Sequence, residues 1–214
     1  MIIGIVGFQG AGKDTIADYL QNIHQFRRES FAHALKDAVA QVFGWDRELL
    51  EGRTKESRAW REQVDAWWAD RLGMSNLTPR YVLQVWGTEV ARRSFHDDIW
   101  IAALENKLRK TTDDVVISDC RFPNEIKSIK RAGGIVIRVV RGAEPTWYET
   151  AIGANAGILP DQELLKQLGI HPSETAWIGT DFDAIIDNNE DGLDPLFAQI
   201  KQLVDGLSAS QGSS

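Results

Sequence analysis

At 214 residues the chain has the size of one domain with room for a small insertion. Hydrophobic residues make up 43% and charged residues 26%, which excludes a disordered or fibrous protein over most of the length, and no uncharged apolar run is long enough to span a bilayer. The formal charge of -7, from 31 acidic and 24 basic residues, excludes a chain-wide basic footprint for duplex nucleic acid but not a local basic pocket for a small anion. Met1 to Gly12 has no basic segment ahead of its apolar run and does not read as a signal peptide. A single cysteine, Cys120, rules out an internal disulfide and suits a reducing cytosol, so a cytoplasmic location is expected.

Taken in chain order, Ile2 to Val6 is a short β-branched run that reads as a buried strand. Lys13 to Ile23 has helical spacing, with Ile16, Ala17, Leu20 and Ile23 on one face. A short strand is expected near Ser30, and a helix from Ala32 to Phe43 that stops at Gly44. Glu56 to Leu72 reads as one long helix, Arg80 to Arg93 as another after Thr78-Pro79, and Asp97 to Lys110 as a third, capped by Asp97 or Asp98. Val115 to Ser118 is a strand, Pro123 to Ala132 a helix stopped by Gly133-Gly134, and Ile135 to Val140 a strand. Ala184 to Asp187 is the last strand and Leu193 to Leu207 the last helix. Alternating strands and helices predict an α/β fold with a mostly parallel central sheet flanked by helices. Residues 1–207 are expected to form a single domain. Within it, Gly142 to Thr180 lacks a strand pattern and reads as a lid-like excursion; Ser208 to Ser214 reads as a disordered tail.

The sharpest motif is Gly7-Phe8-Gln9-Gly10-Ala11-Gly12-Lys13-Asp14-Thr15, which satisfies G-x-x-x-x-G-K directly after a predicted strand and at the start of a predicted helix. Glycines let consecutive backbone N–H groups curl into an anion nest at the positive end of the helix dipole. Gly10, Ala11, Gly12, Lys13, Asp14 and Thr15 are therefore the expected ATP-phosphate contacts, with Lys13 as a mobile cation for the β and γ phosphates. Asp14 stands where Ser or Thr usually follows the lysine, and Thr15 comes one position later. A carboxylate beside a phosphate is unfavourable unless it faces metal or solvent. A dinucleotide fingerprint fails on spacing, because no glycine follows Gly12 at three residues. A GTPase string beginning at Asn106-Lys107 fails because Arg109 holds the aspartate position.

Asp119 ends the strand Val115-Val116-Ile117-Ser118, the place in a phosphate-loop fold for an acid that holds Mg²⁺, with Thr15 as its companion. Arg121 lies two residues on, at the carboxyl edge where ligands bind; a capping aspartate and a solvated arginine are the competing reading. Arg80, Gln84 and Thr88 fall at i, i+4 and i+8, one helical face able to hold a phosphate and a base edge, or else a solvated stripe. Lys36 is a similar candidate, and Arg141 is a candidate lid arginine or an ordinary surface charge. Of the 8 tryptophans, Trp60, Trp67 and Trp68 share a helical face suited to core or dimer packing, whereas Trp100 is a candidate for base stacking or for core. His171-Pro172-Ser173-Glu174 reads as a helix start.

These strings together resemble a bacteriophage-type deoxynucleoside monophosphate kinase. The resemblance rests on Gly7 to Thr15, Phe31-Ala32-His33-Ala34-Leu35-Lys36, Phe43-Gly44-Trp45 and Trp86-Gly87-Thr88-Glu89-Val90. It continues through Asp98-Ile99-Trp100, Ser118 to Glu125, His171 to Glu174 and Ile185-Ile186-Asp187-Asn188, and so covers nearly the whole chain. Cys120 departs from it, since a small aliphatic is common there. The resemblance implies a phosphate-loop kinase fold and Mg²⁺-assisted transfer of the γ-phosphoryl group of ATP to a deoxynucleoside 5′-monophosphate. It implies Asp119, Arg121 and Glu125 as active-site residues beside Lys13, and Arg80 and Trp100 as substrate-side residues. It also implies a homodimer, in the host cytoplasm if the chain is phage-encoded, while the charge balance and the absence of a long apolar run lead to the expectation of no nucleic-acid and no membrane partner. Two alternatives stay open: a phosphate-loop kinase of another small molecule, such as dephospho-coenzyme A or a sugar acid, and a nucleotide-binding switch that signals through a partner.

Overall fold

The computed structural model describes residues 1–211 and divides into two compact units, one of 1–30 with the chain from 108 onward, the other of 31–107. In the first unit, strands β1 (Ile2–Val6), β2 (Arg27–Glu29), β3 (Val115–Ile117), β4 (Ile135–Val140) and β5 (Ala184–Asp187) form one parallel sheet in the order β2-β3-β1-β4-β5. β-branched residues dominate the three inner strands β1, β3 and β4, which are covered on both faces and almost wholly buried, whereas the edge strand β2 is Arg-Arg-Glu. Helix α1 (Lys13–His24) buries Ile16, Ala17 and Leu20 in a core with Ile3, Ile5, Val116, Ile137 and Leu196, while Ile23 is exposed and leaves that face. Truncating Leu20 to Ala in this core costs about 2–5 kcal/mol.

The second unit holds α2 (His33–Phe43), α3 (Arg47–Glu51), α4 (Lys55–Arg61), α5 (Ala66–Leu72), α6 (Pro79–Gln84), a π-helical segment (Val85–Arg93) and most of α7 (Ile99–Leu108). The single helix expected from Glu56 to Leu72 is two helices. Asp65 breaks it: its carboxylate caps Trp68 N–H at 3.1 Å and accepts Trp45 Nε1 at 2.7 Å, and its own N–H donates to Leu77 O at 3.0 Å. Three tertiary and capping bonds outweigh helix continuity there. Trp60 and Trp68 accordingly pack on the core of Leu35, Val39, Trp45, Leu50, Leu77 and Val82, whereas Trp67 is 64% exposed. The short α3, capped by Asp46, has no counterpart in the sequence reading.

Helix α8 (Pro123–Arg131) follows β3 in the first unit. Residues 142–180 form α9 (Tyr148–Asn155), α10 (Leu159–Gln167) and α11 (Pro172–Thr175), without a strand. The last helix, α12 (Asp194–Gln211), continues past the expected stop, so Ser208 to Gln211 are helical; the remainder of the expected tail, 212–214, lies outside the described residues. Among the described residues, no helix is long and apolar enough to cross a membrane.

Candidate active site

Strands β1 and β3 are neighbours, with Gly4 opposite Ile117, so the Gly7–Thr15 loop and the Ser118–Arg121 loop leave the same carboxyl edge of the sheet side by side. Gly12 caps α1 in a left-handed conformation, φ 106°, and no side chain caps the helix. The first helical bond is Ile16 N–H to Gly12 O at 3.0 Å, so the N–H groups ahead of it have no intrahelical acceptor. Four helices of the second unit, by contrast, are closed by Asp46, Thr54, Asp65 and Thr78. An uncapped helix start behind a glycine loop is an anion seat. Asn188, just past β5, braces the loop by donating Nδ2 to Ala11 O at 2.8 Å, and a Cβ on Gly12 would stand 2.6 Å from that amide nitrogen.

Lys13 is not the solvent-facing group that an open phosphate loop suggests. Its Nζ donates to Gly7 O and Phe8 O, both at 2.8 Å, so the ammonium substitutes for a ligand by satisfying loop carbonyls. Burial, and next the nearby charge of Arg121, push its pKa below the usual lysine value; Asp14 and Glu174 act in the opposite sense. Phe8 is clamped edge-on by Trp147 and Trp177, with ring centres at 5.5 and 4.9 Å.

The Asp14 carboxylate turns away from the loop. It pairs with Arg28 on β2, and Arg28 also donates to Asp18 at 2.6 Å and to Ser118 Oγ at 2.9 Å. The acid that looked hostile to phosphate is thus neutralised and ties α1 to the ends of β2 and β3.

Asp119 accepts from Ser30 Oγ through Oδ2 at 2.6 Å, while its Oδ1 is buried with no hydrogen-bond partner. Arg121 is exposed on the rim, with Nη1 3.3 Å from Ser173 Oγ and 3.7 Å from a Glu174 oxygen on α11. Glu125 is 4% exposed, and its Oε2 accepts the N–H groups of Arg121 at 2.8 Å and Phe122 at 3.1 Å. That geometry makes it the acid of a capping box and fixes the Arg121 main chain. Cys120 is fully buried and its thiol is pushed well up, chiefly by burial and next by Asp119, so it is not a nucleophile.

The remaining candidates lie in the second unit. Lys36 donates to Glu51 at 2.6 Å, in a network completed by Arg47 and His33. Arg80 and Gln84 are exposed, and Arg80 Nη1 donates to Glu62 at 3.1 Å. Thr88 is exposed as well and falls in the π-helical segment that follows Gln84. Trp100 is packed on the second unit's core with Nε1 donating to Gly87 O at 3.0 Å, which favours an anchoring role over base stacking. Sequence reasoning missed Arg28 and Ser30 and gave no partner to Ser173; only the adjacency of β2 and β3 and the folding of α11 supply those contacts. Among the described residues, no three His, Cys, Asp or Glu side chains cluster in a way that would hold a metal by themselves.

No protein-family model matches the chain. A protein of Acanthamoeba polyphaga mimivirus, provisionally named a deoxynucleotide monophosphate kinase, is 29% identical over 97% of this chain and 98% of its own length. The deoxynucleoside-5′-monophosphate kinase of Escherichia phage T5 is 29% identical over 58% of this chain and 70% of its own length. Among solved structures, TT1252 from Thermus thermophilus aligns over 97% of both chains with 18% identity and a TM-score of 0.46.

Proposed function

We propose that the chain transfers the γ-phosphoryl group of ATP to the 5′-phosphate of a deoxynucleoside monophosphate. The observation that carries this reading is the uncapped start of α1 behind Gly10 and Gly12, with Lys13 folded over the loop. The two relatives named for the same activity support the choice of acceptor.

Phosphoryl transfer asks mainly for positioning and for neutralisation of charge. The free N–H groups at the start of α1 hold the donor phosphates, and Lys13 exchanges its two loop carbonyls for the β and γ oxygens. The acceptor phosphate is largely a dianion at neutral pH, with a second pKa of about 6, so no base is required to generate the nucleophile. Arg121 offers its guanidinium to the transferring group, on a main chain fixed by Glu125, and Arg80 binds the acceptor phosphate. Mg²⁺ fits the donor set: Thr15 and Asp119 supply hard oxygens, and the partnerless buried Oδ1 of Asp119 is an acceptor that a hydrated cation satisfies. When bound, the ion would offset charge on the β and γ oxygens. Residues 142–180 act as a lid in this reading, since Ser173 and Glu174 already meet Arg121.

The test is a coupled assay of ADP release with ATP and each of the four deoxynucleoside monophosphates, run beside dephospho-coenzyme A and gluconate. Turnover with at least one monophosphate and none with the other acceptors is expected. The reverse pattern overturns the reading, and a slow basal hydrolysis indifferent to every acceptor replaces it with a nucleotide switch.

A further inference from the structure

We propose that Arg61, lying on Gly52 and acting with Arg80, forms the seat for a phosphate dianion, which is the phosphate of the acceptor nucleotide. The identity of the ligand rests on the kinase reading; the anion seat itself does not.

Arg61 is the last residue of α4, and Gly52 is the residue after α3. These short helices pack together, and α4 also packs against α6, which carries Arg80. The guanidinium of Arg61 rests directly on the backbone of Gly52. A Cβ at that position would stand 2.2 Å from both Cζ and Nη2 and 2.7 Å from Nε. Gly52 also has φ 70°, a left-handed conformation that favours glycine, while the flexible end of Arg61 could shift away from an added Cβ.

Half-buried in this place, Arg61 makes no ion pair among the described residues, although Glu62 and Glu51 act on it from farther off. Its Nε is buried without a hydrogen-bond partner, and among the described residues no carboxylate lies within ion-pair distance of it. The nearby acids are committed elsewhere. Glu51 is held by Lys36, Arg47 and His33, and Glu62 by Arg80. Arg58 spends its Nη1 on the carbonyls of Gly52 and Arg53. Burial, and next the positive charge of Arg80, push the Arg61 pKa down, and the opposing charges of Glu62 and Glu51 offset this only in part.

An unpaired, partly desolvated guanidinium is costly in a folded protein, and doubly so beside a like charge. A ligand that removes both costs carries about two negative charges and several acceptor oxygens within the reach of two planar forks, which describes a phosphate monoester. A carboxylate supplies one charge and two oxygens, enough for one fork.

Three measurements test this: KM for a deoxynucleoside monophosphate, KM for ATP, and the thermal shift produced by inorganic phosphate, each on the wild type, Arg61→Met and Arg61→Lys. Methionine keeps the apolar stem of the side chain over Gly52. Expected are a rise of about tenfold or more in KM for the monophosphate in Arg61→Met, an ATP KM that stays within about twofold, and partial rescue by lysine. Phosphate is expected to raise the melting temperature of the wild type and not that of Arg61→Met. Unchanged monophosphate KM in a folded variant overturns the proposal, and so does a phosphate shift of equal size in all three proteins. If the wild type phosphorylates no deoxynucleotide yet phosphate protects it through Arg61, the anion seat stands and the kinase reading falls. Should both variants fail to fold, phosphate titration of the wild type followed by the arginine Nε resonances decides: a shift of the Arg61 signal supports the seat, and its absence overturns it.

Discussion

The side-chain amide of Asn188 reaches the carbonyl of Ala11 at 2.8 Å, joining the residue after the edge strand β5 to the middle of the phosphate loop. Since β5 pairs with β4 and β4 with β1, this bond closes a circuit that begins and ends at the loop. The loop itself has few internal bonds, among them Ala11 N–H to Phe8 O at 3.2 Å, so its shape depends on braces from outside. A braced loop holds its N–H groups converged before a nucleotide arrives, and preorganisation of that kind lowers the cost of binding.

Asn188→Ala is therefore expected to weaken ATP without touching the acceptor. One hydrogen bond between neutral groups contributes about 1 kcal/mol, so KM for ATP should rise roughly fivefold. Initial-rate kinetics with each substrate varied in turn check this. Equal rises for both substrates would mean that Asn188 supports the unit as a whole rather than the loop.

Lys13→Ala should remove turnover by orders of magnitude while the protein stays folded. The two carbonyls that Lys13 caps lie at a part-buried site that water reaches once the side chain is gone. The pH dependence adds a sharper check. Burial and Arg121 lower the Lys13 pKa in the free protein, so the charged form is lost at a lower pH than for an ordinary lysine. The alkaline limb of kcat/KM should thus fall below 10.5, and in Lys13→Arg, whatever its residual activity, that limb should move out of range.

The parallel sheet was legible from the sequence because Ile2 to Val6, Val115 to Ile117 and Ile135 to Val140 are runs of β-branched residues interrupted only at Gly4 and Arg138, the composition typical of a strand covered on both faces. The phosphate loop was legible because its chemistry is local. What stayed hidden depends on distance along the chain. Arg28 and Asp14 meet only because β2 lies beside β3 and α1 crosses between them, and Arg121 meets Ser173 across 52 residues. The break at Asp65 escaped because Trp60, Trp67 and Trp68 keep a helical period across it, while its cause, bonds to Trp45 and Leu77, is tertiary. The π-helical segment escaped because the helical pattern from Arg80 to Arg93 carries no local mark of where α spacing gives way to π.

Glu51 sets the acid stability of the second unit. Burial by itself would raise its pKa, but hydrogen bonds and charge from Lys36 and Arg47 outweigh that and hold it at about 2, against 4.5 ordinarily. A folded-state value below the unfolded one contributes stability that is complete above about 4.5 and is lost as pH falls toward 2. At neutral pH, Glu51→Gln should destabilise by about 3 kcal/mol, because two part-buried cations lose their anion. Melting temperatures of the wild type and Glu51→Gln should converge as pH drops through that window. A gap that persists unchanged at pH 2 would show that packing, not charge, is what Glu51 supplies.

Asp119 decides whether the reaction needs a general base. A hydroxyl acceptor must lose a proton, and a carboxylate placed at the end of β3 is able to take it. A nucleoside monophosphate already presents a free oxygen above a pH of about 6. In that case Asp119 serves as an oxygen donor to a cation, with Oδ2 fixed by Ser30 at 2.6 Å and Oδ1 left for the ion or its water. Asp119→Asn keeps the shape and removes the charge. Its activity should fall and then recover in part at high Mg²⁺ or Mn²⁺, since mass action refills a weakened site. The acid limb near pH 6 should survive in the variant, because it belongs to the substrate phosphate and not to the protein. Activity of Asp119→Asn that climbs steadily with hydroxide and ignores metal concentration would instead make Asp119 a proton acceptor, and would move the acceptor from a phosphate to a hydroxyl.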